Sequence, residues 1–440
     1  MADSQVGDTV SGADSRTRGY EAAISPPDPR VARLPIHFFV LAIVSFAVGL
    51  AMAPWVVPKA IVFFYQPGVL ALVHTFTLGW ITAVMMGVMY RYVPALTRRA
   101  IPFPRLGMPQ LVLYAIGASG IVTHFALGSW DGVWSAAIVA ILSMVLFAVN
   151  MFACLGPRLG RGVAETGMFV GIGFLIAAAV IGFLLALDKT VGFLGGELIG
   201  NLAAHAHLAA VGWVALTICA VSYRMLPAFL LPKTAIPRIA VLQLYGLAVG
   251  AAGLSVGLIA ETRGSAFWGA AVAVALVSYV VTVGRIVRDR RMPIDWAAGH
   301  AIAGITWMLA ACGLGPGLAW LGASSEGGAR IASAYGLIGL MGFFSNFIIG
   351  MSYHLFPGFV SRARTAIRWR AMTVAELGFK GPRSIVFVAF NGGIAILAAG
   401  FIAANVILAE AGTVSMAAGG LVYAAGMLRT LSYAYRRAQA

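Results

Sequence analysis

The chain has 440 residues, of which 60% are hydrophobic and only 10% are charged, and its formal net charge at pH 7 is +15. A soluble globular protein carries about 25% charged residues, and a chain of this size cannot hide so large an apolar excess in a water-soluble core. The composition therefore excludes soluble enzymes, nucleic-acid-binding domains, coiled coils and disordered scaffolds. It predicts a polytopic membrane protein.

The first 33 residues are polar and proline-containing, with no apolar stretch of signal-peptide type, so we expect residues 1–33 to be a disordered cytoplasmic tail. We predict that residues 34–440 form a single membrane domain. A helix that crosses the bilayer needs about 20 apolar residues, and twelve stretches reach that length. They are 35–57, 66–94, 109–128, 133–155, 165–187, 200–231, 238–260, 266–288, 295–320, 332–360, 384–407 and 414–438. Since a membrane β-strand uses only about 9–11 residues, the prediction is all-α; the stretches are called spans 1 to 12.

The basic residues are distributed unevenly between the two sets of connections. Of the 30 Lys and Arg residues, only Lys59, Lys189, Arg263 and Arg330 follow odd-numbered spans. The other 26 lie in the N-terminal segment, after even-numbered spans or at the C-terminus. The positive-inside rule then predicts that both termini are cytoplasmic. Because the basic connections would face anionic lipid, the lipid bilayer accounts for the net charge, and no nucleic-acid partner is expected.

Spans 2, 6 and 10 share a motif of a histidine, a glycine, an aromatic residue, a tyrosine and a proline at fixed spacings. It comprises His74, Gly79, Trp80, Tyr90 and Pro94 in span 2, and His207, Gly212, Trp213, Tyr223 and Pro227 in span 6. Span 10 keeps Gly342, Phe343, Tyr353 and Pro357, but Leu337 stands where the histidine would be. The shared motif indicates an internal repeat.

A second repeated string supports the same period. Small-residue strings at 115–120, 248–253 and 395–400 lie one span after each copy of the motif, and His37 and His300 lie one span before the first and third copies. We therefore predict three parallel pseudo-repeats of four helices. The units are residues 34–94 together with 384–438, residues 109–231, and residues 238–360. Four helices are an even number, so the units share one orientation, unlike the inverted repeats of many transporters.

Three parallel four-helix units, the His74 motif, the His205-Ala-His207 string and the repeated Tyr-x-x-x-Pro helix ends together resemble the haem–copper oxidase large subunit. The resemblance covers nearly all of residues 35–438. Within the superfamily, the chain most resembles a short, divergent branch, beside the NnrS-type haem- and copper-binding membrane proteins. It implies a b-type haem and/or copper, and a role in respiratory electron transfer or in the response to nitric oxide or metal stress. It also implies a bacterial inner-membrane location and a redox partner protein or quinol.

The chain departs from the oxidase pattern at two places. The family carries adjacent histidines on span 7, and residues 238–260 contain none. It also carries two closely spaced histidines on span 10, where this chain has only His354. A complete centre that reduces dioxygen or nitric oxide is therefore not expected.

Histidine is the main candidate ligand, because no acidic residue lies in the middle of a span and intramembrane carboxylates are the usual ion relays. Neutral imidazole binds iron and copper. At 1.5 Å per residue, His74, His205 and His207 lie within about 12 Å of the outer boundary, with His124 at a similar level. We expect His74 and His207 to hold the cofactor, with His205 assisting and His124 as a weaker candidate.

The two histidines of span 6 are about 200° apart around the helix, so we expect them to face different directions. His300 and His354, nearer the cytoplasmic boundary, are weaker metal candidates, and the sequence identifies no catalytic residue.

Two other functions stay open at this point. The chain could be an oxidase or nitric-oxide-reductase type of oxidoreductase with unrecognised ligands. It could instead be a transporter or a cofactor-free structural protein, since a lone membrane histidine is more often a packing residue than a ligand.

The distribution of basic residues makes a prediction about topology. A reporter fused after Arg437 should be active only in its cytoplasmic form, because the C-terminus follows an even-numbered span on the basic side. Activity of a periplasmic reporter at that position would overturn the number of spans.

Overall fold

The computed structural model describes residues 29–156, 162–233 and 238–436. Over these residues the chain is helical, without strands, and it contains twelve helices long and apolar enough to cross a membrane. The predicted all-α class and the number of spans are thereby confirmed. Most of the expected tail, residues 1–28, lies outside the described residues, and the helix of span 1 already begins at Pro29.

The spans have the following bounds: Val31–Val62, Pro67–Thr97, Pro104–Leu127, Trp130–Leu155, Val163–Val191, Leu198–Leu230, Ile239–Ile259, Gly264–Arg288, Trp296–Leu321, Glu326–Ala366, Arg383–Ile402 and Val406–Ser432. A single further turn of helix, Val374–Leu377, lies in the connection between spans 10 and 11.

Local sequence signals mark several of the helix ends. Asp295, Ser325 and Asn405 cap the starts of spans 9, 10 and 12 by accepting a hydrogen bond from a backbone N–H three residues ahead. Gly128 ends span 3 with a φ of +68°, a left-handed conformation that glycine adopts without steric cost.

The twelve spans form a closed series of neighbours, in which three spans lie inside the bundle and nine lie outside. Each span packs against the next one along the chain, and span 12 packs back against span 1. In the most apolar segment of 18 residues, the buried share is 78% in span 2, 61% in span 6 and 67% in span 10. In the other nine spans it ranges from 22% to 50%. Spans 2, 6 and 10 are therefore the inner helices, and the others present much of their surface to lipid.

The ends of the even-numbered spans lie together at one end of the bundle, here called the basic end. The backbone N–H of Arg291, after span 8, donates to the carbonyl of Leu230 at the end of span 6. Similarly, Arg364 near the end of span 10 donates to the carbonyl of Tyr433 just after span 12. The connections at this end carry most of the arginines.

Each inner span contains a π-helical segment at the same place in the shared motif. The segments are Thr75–Thr82, Leu208–Ala215 and Ile338–Ser345, directly after His74, His207 and Leu337. Such segments interrupt the regular α-helical pattern and are common at functional sites.

The motif glycine of each π segment allows close packing against the preceding span. A Cβ at Gly79 would lie 2.6 Å from Ser45, one at Gly212 would lie 2.5 Å from Phe174, and one at Gly342 would lie 2.7 Å from Trp307. These separations are too short for a side chain. Glycine therefore allows the close approach of the two helices at each of these three contacts.

Two tryptophan hydrogen bonds join the inner spans to one another. Trp80 Nε1 on span 2 donates to Ser345 Oγ on span 10 at 3.1 Å. Trp213 Nε1 on span 6 donates to Thr82 Oγ1 on span 2 at 3.2 Å. The two tryptophans occupy the same position of the motif, and so do the two hydroxyl acceptors.

The third pair of corresponding positions, on spans 10 and 6, holds Phe343 and Ala215, which carry no polar side-chain atom. The donor and the acceptor are therefore missing together. No buried indole or hydroxyl is left without a partner at this contact, which would be costly in hydrocarbon.

The tryptophan contacts predict a measurable coupling between spans 2 and 10. Trp80→Phe and Ser345→Ala should each destabilise the protein. Their double-mutant cycle should give a coupling free energy of about 0.6 kcal/mol, and at most about 1.7 kcal/mol, as for other hydrogen bonds between membrane helices. Trp320→Phe is the matched control, because Trp320 is 88% exposed. Additive effects of the two substitutions on unfolding in detergent would contradict the contact.

Candidate functional site

Two histidines from different inner spans lie side by side near the end of the bundle opposite the basic end. The rings of His74 on span 2 and His205 on span 6 have centroids 6.5 Å apart and planes inclined by only 18°. Each histidine is the eighth residue of its span, about 10 Å from the helix start. The nearly parallel rings place two imidazoles at one depth, between two spans.

Backbone carbonyls fix the orientation of both rings. His74 Nδ1 lies 2.8 Å from the carbonyl oxygen of Leu70, one turn earlier in the same helix. His205 Nδ1 lies 2.9 Å from the carbonyl oxygen of Ala178 on span 5. Because a carbonyl only accepts hydrogen bonds, each neutral ring carries its hydrogen on Nδ1 and its lone pair on Nε2. Within the described part of the chain, neither Nε2 has a hydrogen-bond partner.

Two neighbouring residues shape the space around the pair. A Cβ at Gly182 of span 5 would lie 2.7 Å from Cε1 of His205, so glycine is what admits the imidazole there. The ring of Phe125 on span 3 packs 4.8 Å from the ring of His74. Both imidazoles are therefore supported by the outer spans 3 and 5.

His207 turns to a different neighbour. Its Nδ1 lies 2.7 Å from the carbonyl oxygen of Ala203, as in His74, but its Nε2 lies 3.4 Å from the hydroxyl of Tyr335 on span 10. The expectation that the two histidines of span 6 face different directions is confirmed. The expected pairing of His74 with His207 at a cofactor stays a prediction, and the ring that lies beside His74 in the structure is that of His205. The rotation of span 6 about its axis determines which of its two histidines faces His74.

Tyr335 stands two residues before Leu337, just as His205 stands two residues before His207. The His205–His74 and Tyr335–His207 contacts therefore join corresponding positions of successive inner spans. At the third pair of these positions, on spans 2 and 10, the residues are Leu72 and Leu337. Two of the three interfaces between inner spans are thus polar at this depth, and one is apolar.

The weaker candidates lie elsewhere. His124 on span 3 is half-buried against Gly132 of span 4, and its Nδ1 has no hydrogen-bond partner among the described residues. His354 Nε2, at the basic end, donates to Asp295 Oδ2 at 2.7 Å. Neither is joined to the His74–His205 pair by a hydrogen bond or a ring contact in the described part of the chain.

His300 belongs to a separate buried polar network. Its Nδ1 donates to Asn346 Oδ1 at 2.7 Å, the amide nitrogen of Asn346 lies 3.0 Å from Asn391 Oδ1, and Trp307 Nε1 donates to the same oxygen at 2.9 Å. Because Nδ1 donates, the lone pair of His300 is on Nε2, which has no hydrogen-bond partner among the described residues. No second imidazole lies beside this ring in the described part of the chain, and the network joins spans 9, 10 and 11.

The described residues hold no group of three or more His, Cys, Asp or Glu side chains that could bind a metal ion. The strongest ligand set that the structure presents is therefore the pair of imidazoles.

Sequence reasoning missed Tyr335, Gly182 and the two asparagines. Tyr335 could have been found by extending the repeat alignment two residues upstream of Leu337. Asn346 and Asn391 are polar residues in the middle of apolar spans, which is itself a sign of contact between helices. Gly182 carried no recognisable signal, because glycine is frequent throughout this chain.

No protein-family model matches the chain, and no curated protein matches it at a significant level. The resemblance to the haem–copper oxidase superfamily consequently rests on the repeated residues of the chain itself.

The Asp295–His354 contact predicts a pH-dependent contribution to stability. The hydrogen bond from His354, assisted by the backbone N–H of Ala298, lowers the pKa of the Asp295 carboxyl. A lowered pKa stabilises the fold above the unfolded value of about 3.9, and this stabilisation is lost as the pH falls through the lower folded value. Asp295→Asn should reduce the free energy of unfolding at pH 7 by about 1 kcal/mol.

The difference between Asp295→Asn and the wild type should shrink as the pH is lowered below about 4, measured by unfolding in detergent. Glu410→Gln, at an exposed position of span 12, is the control for removal of one carboxylate. Equal stability of Asp295→Asn and wild type at pH 7 would show that the contact contributes nothing.

Proposed function

We propose that this chain is an integral membrane electron-transfer protein in which His74 on span 2 and His205 on span 6 would hold one b-type haem. The observation that carries the proposal is the spacing of the two rings. Metal–imidazole bonds are about 2.0–2.1 Å long, so two imidazoles on opposite sides of one metal ion have ring centres about 6.3 Å apart. The ring centres of His74 and His205 lie 6.5 Å apart in the structure.

The hydrogen bonds of the two rings support the same assignment. Histidines that ligate a metal usually donate the other ring N–H to a carbonyl or carboxylate, which fixes the tautomer and makes the ligating nitrogen more basic. His74 does so to Leu70 and His205 to Ala178. Among the described residues neither Nε2 has a hydrogen-bond partner, so both lone pairs would be available to a haem iron.

The number of ligands favours haem over copper. Copper sites in proteins commonly use three or more side-chain ligands, and the described residues offer no such group. A haem held by these two histidines would supply one-electron transfer. A pair of histidines without a third ligand therefore supports electron transfer in preference to reduction of dioxygen or nitric oxide.

We further propose that the three four-helix units are arranged in cyclic order about a pseudo-threefold axis, on a scaffold of the haem–copper oxidase kind. Span 2 donates through Trp80 to span 10, and span 6 donates through Trp213 to span 2. The contacts of His205 with His74, and of Tyr335 with His207, follow the same order. In this arrangement, and among the described residues, the interface of spans 2 and 6 is where two histidine rings contact each other.

The distribution of basic residues supports a bacterial inner-membrane protein with cytoplasmic termini. The histidine pair then lies near the outer face, where a redox partner protein or a quinol would exchange electrons with it. The role fits respiratory electron transfer or the response to nitric oxide or metal stress.

The proposal predicts which histidines hold the haem. The Soret band of the protein purified from haem-supplied membranes should be lost or shifted in His74→Ala and in His205→Ala, because each removes one axial nitrogen. His207→Ala and His37→Ala should keep the band. Haem content per protein, measured alongside, separates loss of the cofactor from a change in its ligation.

Three outcomes would contradict this assignment. A full band in both His74→Ala and His205→Ala would remove the site. Loss in His207→Ala together with retention in His205→Ala would restore the pairing expected from the sequence. A wild-type protein without haem would leave a transporter or a cofactor-free structural protein as the function.

A further inference from the structure

Two guanidinium groups converge at the basic end of the bundle, on the carbonyls that follow span 12. Arg364 is 1% exposed, and its Nη1 donates to the carbonyls of Tyr433 at 2.6 Å and Arg436 at 2.7 Å. Arg33, at the start of span 1, donates from Nη2 to the carbonyl of Ala434 at 3.1 Å. Because Tyr433 and Ala434 are consecutive residues, the two guanidinium groups bind the same short stretch of backbone.

The same tryptophan contacts both groups. The guanidinium carbons of Arg33 and Arg364 each lie 5.4 Å from the centroid of the Trp369 ring. Among the described residues, no carboxylate is paired with either arginine, and Glu376 pairs with Arg370 instead. The end of a helix carries about half a unit of negative charge, which is less than the two positive charges gathered there. The site therefore keeps a net positive charge.

Each arginine also has a donor that is not used. Arg364 Nη2 and Arg33 Nε are buried and have no hydrogen-bond partner among residues 29–156, 162–233 and 238–436. An unpaired donor on a buried charged group is costly. An anion with several acceptor oxygens would accept hydrogen bonds from the unused donors and would also balance the positive charge.

We propose that Arg33 and Arg364 bind a phosphate group at the junction of spans 1, 10 and 12. A phosphate offers several strong acceptors on one anion and matches the forked donors of guanidinium groups. The same chemistry is available from the headgroup of an anionic lipid and from inorganic phosphate. The position at the basic end favours the lipid, because basic pockets between membrane helices bind anionic headgroups.

Thermal unfolding of the full chain in detergent tests the proposal. The midpoint is followed while phosphatidylglycerol, phosphatidylcholine or sodium phosphate is added at constant ionic strength. Phosphatidylglycerol should raise the wild-type midpoint, and the concentration for half of the effect should rise about tenfold in Arg33→Gln, which loses one charged donor group. Arg364→Lys, which keeps the charge but loses the fork, should show a similar loss.

Arg290→Gln is the matched control, because it removes one exposed arginine from another connection at the same end. It should retain the wild-type response. A response to sodium phosphate equal to that of phosphatidylglycerol would support the site and assign it to the free anion. Equal responses of Arg33→Gln and wild type, or an equal loss in Arg290→Gln, would overturn the proposal. If Arg364→Lys does not fold, Arg33→Gln decides alone.

Discussion

The structure depends on the requirement that polar groups inside a membrane find partners within the protein. The inner spans meet through indole N–H and hydroxyl groups, and each of these groups has a partner on a neighbouring inner span. Where the third contact of the series would fall, Phe343 and Ala215 are both apolar. Loss of the donor is matched by loss of the acceptor, which is what this requirement demands.

The same requirement shapes the histidine pair. An imidazole at this depth needs partners for two nitrogens, and a backbone carbonyl can satisfy only the one that carries hydrogen. His207 obtains its second partner from the hydroxyl of Tyr335. His74 and His205 have none for Nε2 in the described residues. These two acceptors lie side by side at one interface, and a shared metal centre would satisfy both.

The sequence was sufficient to predict the class and the spans, because bilayer thickness imposes a length that hydropathy detects directly. The ends were predicted less well. Span 10 runs over Glu326–Ala366 and not 332–360, and span 12 begins at Val406 and not 414. Span 10 continues at both ends into polar residues, which carry no hydropathy signal, whereas the apolar Val406 and Ile407 at the start of span 12 are assigned to span 11 by the sequence prediction.

The candidate site was predicted in part. The repeated motif indicated spans 2 and 6, and the structure places two histidines side by side there. The sequence could not show which histidine of span 6 lies beside His74. That depends on the rotation of the helix about its axis, to which the π segment after His207 and the space left by Gly182 contribute.

Resonance Raman spectroscopy of the purified wild-type protein, in its oxidised and reduced states, tests the central claim most directly. Six-coordinate, low-spin haem iron in both states, with two imidazole ligands, is the predicted result. Five-coordinate or high-spin iron, or a protein that contains no haem when produced with a full haem supply, would contradict it.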